Sequence, residues 1–442
     1  MRDRHSIRGR RVRRRRAGFA AAAVAMLAAG CVVKETRPLP KLTAVQATRE
    51  IPAEQLLDVG IRLFAPGLTK EIEEHPELGE KKRIYPDIRK AEARYMPTLL
   101  RSTLEGTGQW GAVRVVPFNA LTDVTVDGRI VESSGYALTL EVGVADATGR
   151  HWFTKTYSQR ADTSAYREGA GKGRDPFQNI YVQIADDMLA YRNHLQVADI
   201  TAIPRITRLR FGRDLAPAAY QRYLTQAKAR DGQPLYRAVS LPADGDPIAD
   251  RVARIRERDA TLIDTVSDHY VAFSDKLGDA YVGWRRSTYD EIEAEEKLKN
   301  QALARKLLGA GAIVGGIVMP NMCGNTGTYG SYVCRNAESV ARGAAVAGGV
   351  MAIMSGIQKG KEAQMHTDTI KEITGSFQAD AAPQLVEVEG RTLKLTGNAD
   401  AQYAEWRRLL QDLYQEETGV IADAPATPDT TPAAAPPAKD KI

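Results

Sequence analysis

Three cysteines, Cys31, Cys323 and Cys334, are the side chains in this sequence with the greatest latent reactivity. Cys323 and Cys334 lie eleven positions apart, and three glycines between them let so short a loop fold back on itself. Such a pair serves a disulfide, a metal ion or a redox couple. No Cys-x-x-Cys is present and His366 is the only histidine near them, which weighs against the last two. His75, His151, His194 and His269 are scattered along the chain. There is no His-Glu-x-x-His, no Walker loop, no Gly-x-Ser-x-Gly and no EF-hand loop. Gly169-Ala-Gly-Lys-Gly173 has the glycines of a phosphate cradle without the Walker spacing or its hydroxyl, and is expected to be a flexible loop. Glu73-Glu74 and Glu293–Glu296 are expected to be solvated helix faces, and Trp110 and Trp152 core residues. No catalytic residue, metal site or cofactor is therefore expected, and the chain is not expected to be an enzyme.

The elements that must position these residues begin with a leader. The chain has 442 residues and a formal net charge of +6. Residues 1–30 hold nine arginines, from Arg2 to Arg16, against Asp3 alone; setting them aside leaves 52 basic and 54 acidic side chains, a net of −2. A chain so nearly neutral has no electrostatic reason to bind nucleic acid. After the basic stretch, Ala17–Leu27 is apolar but far shorter than the roughly 20 residues of a spanning helix, which marks a signal-peptide core. It closes on Ala28-Ala29-Gly30-Cys31, whose small side chains let an extended chain enter a peptidase. These residues resemble the lipobox of bacterial envelope lipoproteins, with Leu27 one place earlier than the usual aliphatic and Ala28 in its slot. The resemblance implies cleavage before Cys31 and acylation (palmitate) of its thiol. With Val32 rather than an aspartate next, it implies an outer-membrane anchor and a mature chain in the periplasm. Arg14-Arg15-Arg16 also suits a twin-arginine signal, but Ala17-Gly18-Phe19 lacks the hydrophobic pair such a signal carries. In an oxidising compartment Cys323 and Cys334 are expected to pair, stabilising the fold by about 3 kcal/mol.

Residues 31–55, with Pro38, Pro40 and Pro52 and no period, are expected to be a tether. Residues 56–200 read as an α+β module. Pro86 opens a helix with Ile88, Tyr95, Met96, Leu99, Leu100 and Leu104 on one face, and Gly106 and Gly108 stop it. Strands are expected at 112–116, 124–131, 136–145 and 151–157, the last two joined by the turn Asp146-Ala-Thr-Gly149. A second helix is expected over 177–195. Thr107-Gly108-Gln-Trp110, Gly128-Arg-Ile130, the alternation from Leu138 to Asp146 and Thr148-Gly149-Arg-His-Trp152 resemble a small domain of envelope lipoproteins of the curli-assembly and transport-auxiliary types. That resemblance implies a binding module. Residues 201–247, punctuated by Pro204, Pro217, Pro234, Pro242 and Pro247, are expected to be a connector with short elements.

Asp246 and Pro247 are a helix start, and Ile248, Val252, Ile255, Leu262, Val266, Tyr270, Phe273, Leu277, Ala280 and Trp284 keep a three-four spacing. This predicts a long coiled-coil-like helix, reaching Val318 if unbroken, with Asp259 and His269 as polar interruptions of its seam. Its far end turns wholly apolar and small, with Gly311 and Gly315; after the cysteine loop Ala344, Gly348, Ala352, Gly356 and Gly360 recur every four residues. Such stripes let two backbones approach closely and resemble the glycine-zipper segments of some envelope lipoproteins. Both apolar runs are shorter than the roughly 20 residues needed to span a bilayer. Residues 248–378 are thus expected to form a helical hairpin with a glycine-rich tip. Residues 379–421 are expected to form a β-hairpin and a helix capped by Asn398, and 422–442 a disordered Ala/Pro/Thr-rich tail.

The function expected is that of a lipid-anchored envelope protein that scaffolds or binds partners. Its expected partners are the membrane, through the anchor, other envelope proteins, and a second copy of itself. The alternative is a membrane-inserting oligomer in an outer-membrane secretion or transport assembly.

Overall fold

The structure, a computed structural model, describes residues 40–80, 82–166, 174–229, 232–318, 365, 367–373, 375, 384–388, 391–395 and 398–418. The chain divides into two compact units: Met1–Pro40 with Asp162–Ala170, and Lys41–Ala161 with Gly171–Ile442. Within the first, Thr163–Tyr166 forms one 3-10 turn. All that follows concerns the second.

Its elements in chain order are β1 (Val59–Arg62), α1 (Lys70–Glu74), α2 (Pro76–Glu80), α3 (Pro86–Glu105), β2 (Val113–Val116), β3 (Val124–Ser133), β4 (Ala137–Asp146) and β5 (His151–Arg160). There follow α4 (Gln178–His194), α5 (Val197–Leu215), α6 (Pro217–Tyr220), β6 (Leu224–Lys228), β7 (Pro234–Ala238), α7 (Pro247–Val318), β8 (Gln384–Val388), β9 (Arg391–Leu395) and α8 (Ala399–Thr418). The architecture is α+β: a mixed five-stranded sheet with helices, a long helix and small hairpins. The sheet order is β2-β1-β3-β4-β5. β1 is parallel to both neighbours, with Val59 opposite Val113 and Val124, and β3, β4 and β5 are antiparallel. Parallel pairing of β1 and β2 requires a crossover, which α3 supplies.

β2 to β5, α3 and α4 lie where the apolar spacing places them, and Gly149 takes the positive φ (84°) that ends the β4–β5 turn. β1 was not foreseen. It is four residues long, Gly60 interrupts its alternation, and Val59 and Ile61 are buried. A short strand paired on both sides carries no amphipathic signal of its own.

α7 is 72 residues long, about 108 Å of rise at 1.5 Å per residue. It starts as expected: Asp246 Oδ1 accepts the amide protons of Ile248 (2.8 Å) and Ala249 (3.3 Å), and Pro247 sits in the first turn. The first half of the expected hairpin 248–378 packs on the α+β module. Phe273, Leu277, Tyr281 and Trp284 are buried against Ile88, Ala91 and Tyr95 of α3 and against Ile370. The seam that looked ready for a partner helix is filled by the chain's own module. α7 also covers the edge strand β2. Ser267 Oγ accepts the Val115 amide proton at 3.0 Å, satisfying a ladder group that an open edge would leave to water or another chain.

Three polar knots fasten α7 down. Buried Glu92 on α3 accepts hydrogen bonds from Tyr281 Oη (2.6 Å) and Ser133 Oγ (2.5 Å). Arg285 Nη1 donates to both oxygens of Asp175, at 3.1 and 2.9 Å. Asp259, the seam's interruption, is buried and accepts from Tyr403 Oη and Trp406 Nε1 of α8, each at 3.2 Å. β8–β9 and α8 occur where the expected hairpin and helix were placed, and Asn398 Oδ1 accepts the Ala401 amide proton at 2.9 Å as its cap. Trp406, Tyr403 and Leu410 share a core with Ile206, Leu209 and Phe211 of α5 and Ile255 and Leu262 of α7.

Two boundaries differ from expectation. The tether does not extend to residue 55. From Lys41 the chain is docked, with Leu42 N bonded to Asn179 Oδ1 (3.0 Å), Val45 N to Asp186 Oδ1 (3.0 Å) and Ala47 N to the Thr107 carbonyl (2.8 Å). Residues 201–247 are not a loose connector either: they hold most of the 19-residue α5, with Pro204 inside it, and the β6–β7 hairpin. Burial of Ile200, Ile203, Ile206, Leu209 and Phe211 outweighs the lost proline donor. Residues 319–364, with most of the glycine-rich tip, and the tail 422–442 lie outside the described residues.

Candidate functional site

Where the start of β1, α5, the loop 241–245 and the first turns of α7 meet, they enclose a cleft of about 640 Å³. Leu121, Leu209, Phe211, Val252 and Ile263 supply apolar wall. Thr122, Tyr220 and a set of charged groups line it as well, and the charged groups divide by whether they have partners.

Asp123 is buried on the floor. Its Oδ2 accepts the Asp58 amide proton (3.0 Å) and its Oδ1 lies 2.6 Å from Thr207 Oγ1. Burial pushes its pKa up, and these two hydrogen bonds oppose the rise. Asp58 Oδ1 accepts from Ala112 N (2.8 Å) and Oδ2 is 3.8 Å from Arg114, which also holds Asp264, its Nη2 donating to Asp264 Oδ2 at 3.2 Å. Burial also raises the pKa of Asp259, against the pull of Arg407, whose Nη1 is 4.0 Å away, and of its two hydrogen bonds. These acids and Arg114 are spoken for.

Arg205 and Arg208, three positions apart on α5, and Arg256 on α7 line the same cleft. Among the described residues none of the three guanidinium groups makes a hydrogen bond or an ion pair within 4.0 Å. They are close enough to repel one another: burial, then Arg256 and Arg205, push the Arg208 pKa down, with Asp123 pulling the other way. Asp244, Asp250 and Glu257 also line the cleft and are exposed to water. No histidine, cysteine, serine or lysine lines it. The charged donors that it leaves without a protein acceptor are these guanidinium groups, beside an apolar wall.

The residues singled out from the sequence do not converge here. Cys31, Cys323, Cys334, Ala344, Gly348, Ala352, Gly356, Gly360, His366 and the 169–173 loop with Gly169 lie outside the described residues. Gly311 and Gly315 are on the backbone of α7, one turn apart. His151 Nε2 is 2.8 Å from Thr154 Oγ1, and His75 Nδ1 is 3.3 Å from Glu77. Trp110 and Trp152 are buried, and Trp152 Nε1 donates to Asp146 Oδ2 at 2.9 Å. Glu295, from the acidic cluster, pairs with Arg83. Among the described residues no group of three or more His, Cys, Asp or Glu is placed to hold a metal ion, and no helix is long and apolar enough to cross a membrane. Taking residues 201–247 as a connector hides the arginine trio, two members of which lie on α5. The signal was there in the three-residue spacing of Arg205 and Arg208.

Searches against protein-family models, curated proteins and solved structures find no match to this chain.

Proposed function

We propose that this chain is a lipid-anchored envelope protein that binds partners and catalyses no reaction. The observation that carries the proposal is the leader: a basic stretch, a short apolar core and Ala28-Ala29-Gly30-Cys31. The fold supports it through length. The docked body begins at Lys41, so only the nine residues 32–40 separate it from an acylated Cys31. Fully extended they reach about 30 Å, which keeps the body next to the bilayer surface. The knots that fasten α7 to α3 and to Asp175, just before α4, support a rigid base from which its far half presents contacts. In this reading the far half of α7 and the residues returning to Ile370 form a helical hairpin. Its glycine-rich tip is closed by a Cys323–Cys334 disulfide. Burial of Ile370 against Phe273 and Leu277 supports the return.

Metabolic labelling with palmitate tests the anchor. The wild-type chain takes up label and sediments with outer membranes, and Cys31→Ser takes up none and leaves that fraction. A wild-type product that stays unlabelled, with its leader attached, overturns the proposal. A second reading, a membrane-inserting oligomer, is favoured by the one-turn spacing of Gly311 and Gly315 on α7. Urea extraction of the Cys31→Ser chain separates the two: a soluble monomer belongs to the first, and an oligomer that resists extraction to the second.

A further inference from the structure

We infer that the cleft between α5 and the first turns of α7 is a binding site for a phosphate monoester with an apolar body. The inference rests on the cleft alone and not on where the chain resides.

The volume, about 640 Å³, is that of a small-molecule site. Charges of both signs line it, and the charged donors it leaves without a protein acceptor are arginines. Every carboxylate that is buried there, Asp123 and Asp259, already accepts two hydrogen bonds from the protein, and Asp58 accepts one and faces Arg114. The remaining acids, Asp244, Asp250 and Glu257, are exposed, as are Arg205 and Arg208 while Arg256 is half-buried, and none of these acids lies within ion-pair distance of the three arginines. Arg205, Arg208 and Arg256 thus keep five N–H donors each with no protein acceptor. Arg256 and Arg205 disfavour the charge on Arg208 and Asp123 offsets them only through space, so a dianion placed among the three adds both attraction and acceptors.

Geometry selects among anions. The guanidinium groups come from two different helices, two from successive turns of α5 and one from α7. A planar carboxylate is satisfied by one bidentate arginine. A phosphate monoester presents three terminal oxygens in a tetrahedral array, so three arginines approaching from different directions can each find one. The apolar wall of Leu121, Leu209, Phe211, Val252 and Ile263 would be left facing water by a bare inorganic ion and is covered by an ester's hydrocarbon part. A soluble phosphate ester and the monoester headgroup of a lipid share this chemistry.

Isothermal titration of the full chain carrying Cys31→Ser, so that no anchor contributes, uses hexyl phosphate, inorganic phosphate and hexanoate as probes. The expected result is saturable one-to-one binding of hexyl phosphate, at least about tenfold tighter than either of the others. Arg208→Gln with Arg256→Gln weakens it by about tenfold or more, the corresponding double lysine variant by less, and Arg254→Gln, which lies outside the cleft on α7, not at all. Unchanged melting temperatures show that the variants fold, and the lysine pair carries the comparison if the glutamine pair does not. Phosphatidylcholine vesicles with and without phosphatidic acid assign the source. Capture only with phosphatidic acid supports the lipid headgroup, and no capture alongside hexyl phosphate binding supports a soluble ester. The inference is overturned by absence of saturable hexyl phosphate binding, by equal affinity for hexanoate or inorganic phosphate, by equal affinity of the double glutamine variant, or by binding of polyglutamate in place of hexyl phosphate.

Discussion

Arg285 holds its charge at 1% side-chain exposure between the ring faces of Phe177 and Tyr281, with Asp175, itself 5% exposed, as its bidentate partner. A buried pair of this kind adds little net stability compared with apolar residues, yet breaking it leaves a charge stranded. Asp175→Ala should therefore cost about 3–5 kcal/mol in urea unfolding, while Asp175→Ala with Arg285→Met should recover most of the loss. A double variant as unstable as the single one would show that the pair itself contributes the energy. Asp259 gives a prediction in pH. Burial raises its folded pKa above the ordinary 3.8, so the folded state binds the proton more tightly than the unfolded state. Its contribution is greatest below 3.8 and is lost as pH climbs through the folded value. The stability difference between wild type and Asp259→Asn should accordingly fall as pH rises from about 4 and then level off. A difference that grows with pH contradicts this account.

Between β3 and β4, Gly135 marks the contact at which the sheet meets the long helix. Its amide donates to Thr288 Oγ1 at 3.1 Å, and a Cβ there would run into the Arg285 carbonyl oxygen of α7. Gly135→Ala should destabilise by about 1–3 kcal/mol, and hydrogen exchange should show the loss of protection concentrated in α7 around residues 281–289. Loss spread evenly over the sheet would place the contact's importance elsewhere. Elements of this kind were legible to different degrees. α3, α7 and the β4–β5 hairpin announce themselves because each keeps one apolar face over many residues. β1 did not, since a four-residue strand between two partners has no face to alternate. α5 was hidden by Pro204, which local rules read as an interruption and which tertiary burial overrides. The cleft inherited that miss, because two of its three free arginines ride on α5. The purpose of Asp259 was hidden for a different reason: its partners Tyr403 and Trp406 come 144 and 147 residues later.

Across the whole molecule, the four tryptophans sample separate parts of the body and all are buried: Trp110 and Trp152 by the sheet, Trp284 between α7 and α3, and Trp406 in α8. The sheet, α5, α7 and α8 share apolar clusters, so the body should unfold as one cooperative unit. Single-tryptophan variants, with the other three changed to phenylalanine, should therefore show urea midpoints that coincide with one another and with circular dichroism. An early transition for Trp406 alone would make the C-terminal hairpin and helix a separate unit.

The pairing of distant segments also sets a timetable for biosynthesis. β1 waits for β2 and β3, and the Phe118 amide finds Asp400 only 282 positions later. A chain emerging from its N-terminus therefore cannot close the cluster around Trp406 until nearly all of it has been delivered. Through that interval Ile206, Leu209, Phe211 and Leu262 lack the cover that Tyr403, Trp406 and Leu410 of α8 supply, and α8 is the segment whose arrival completes it.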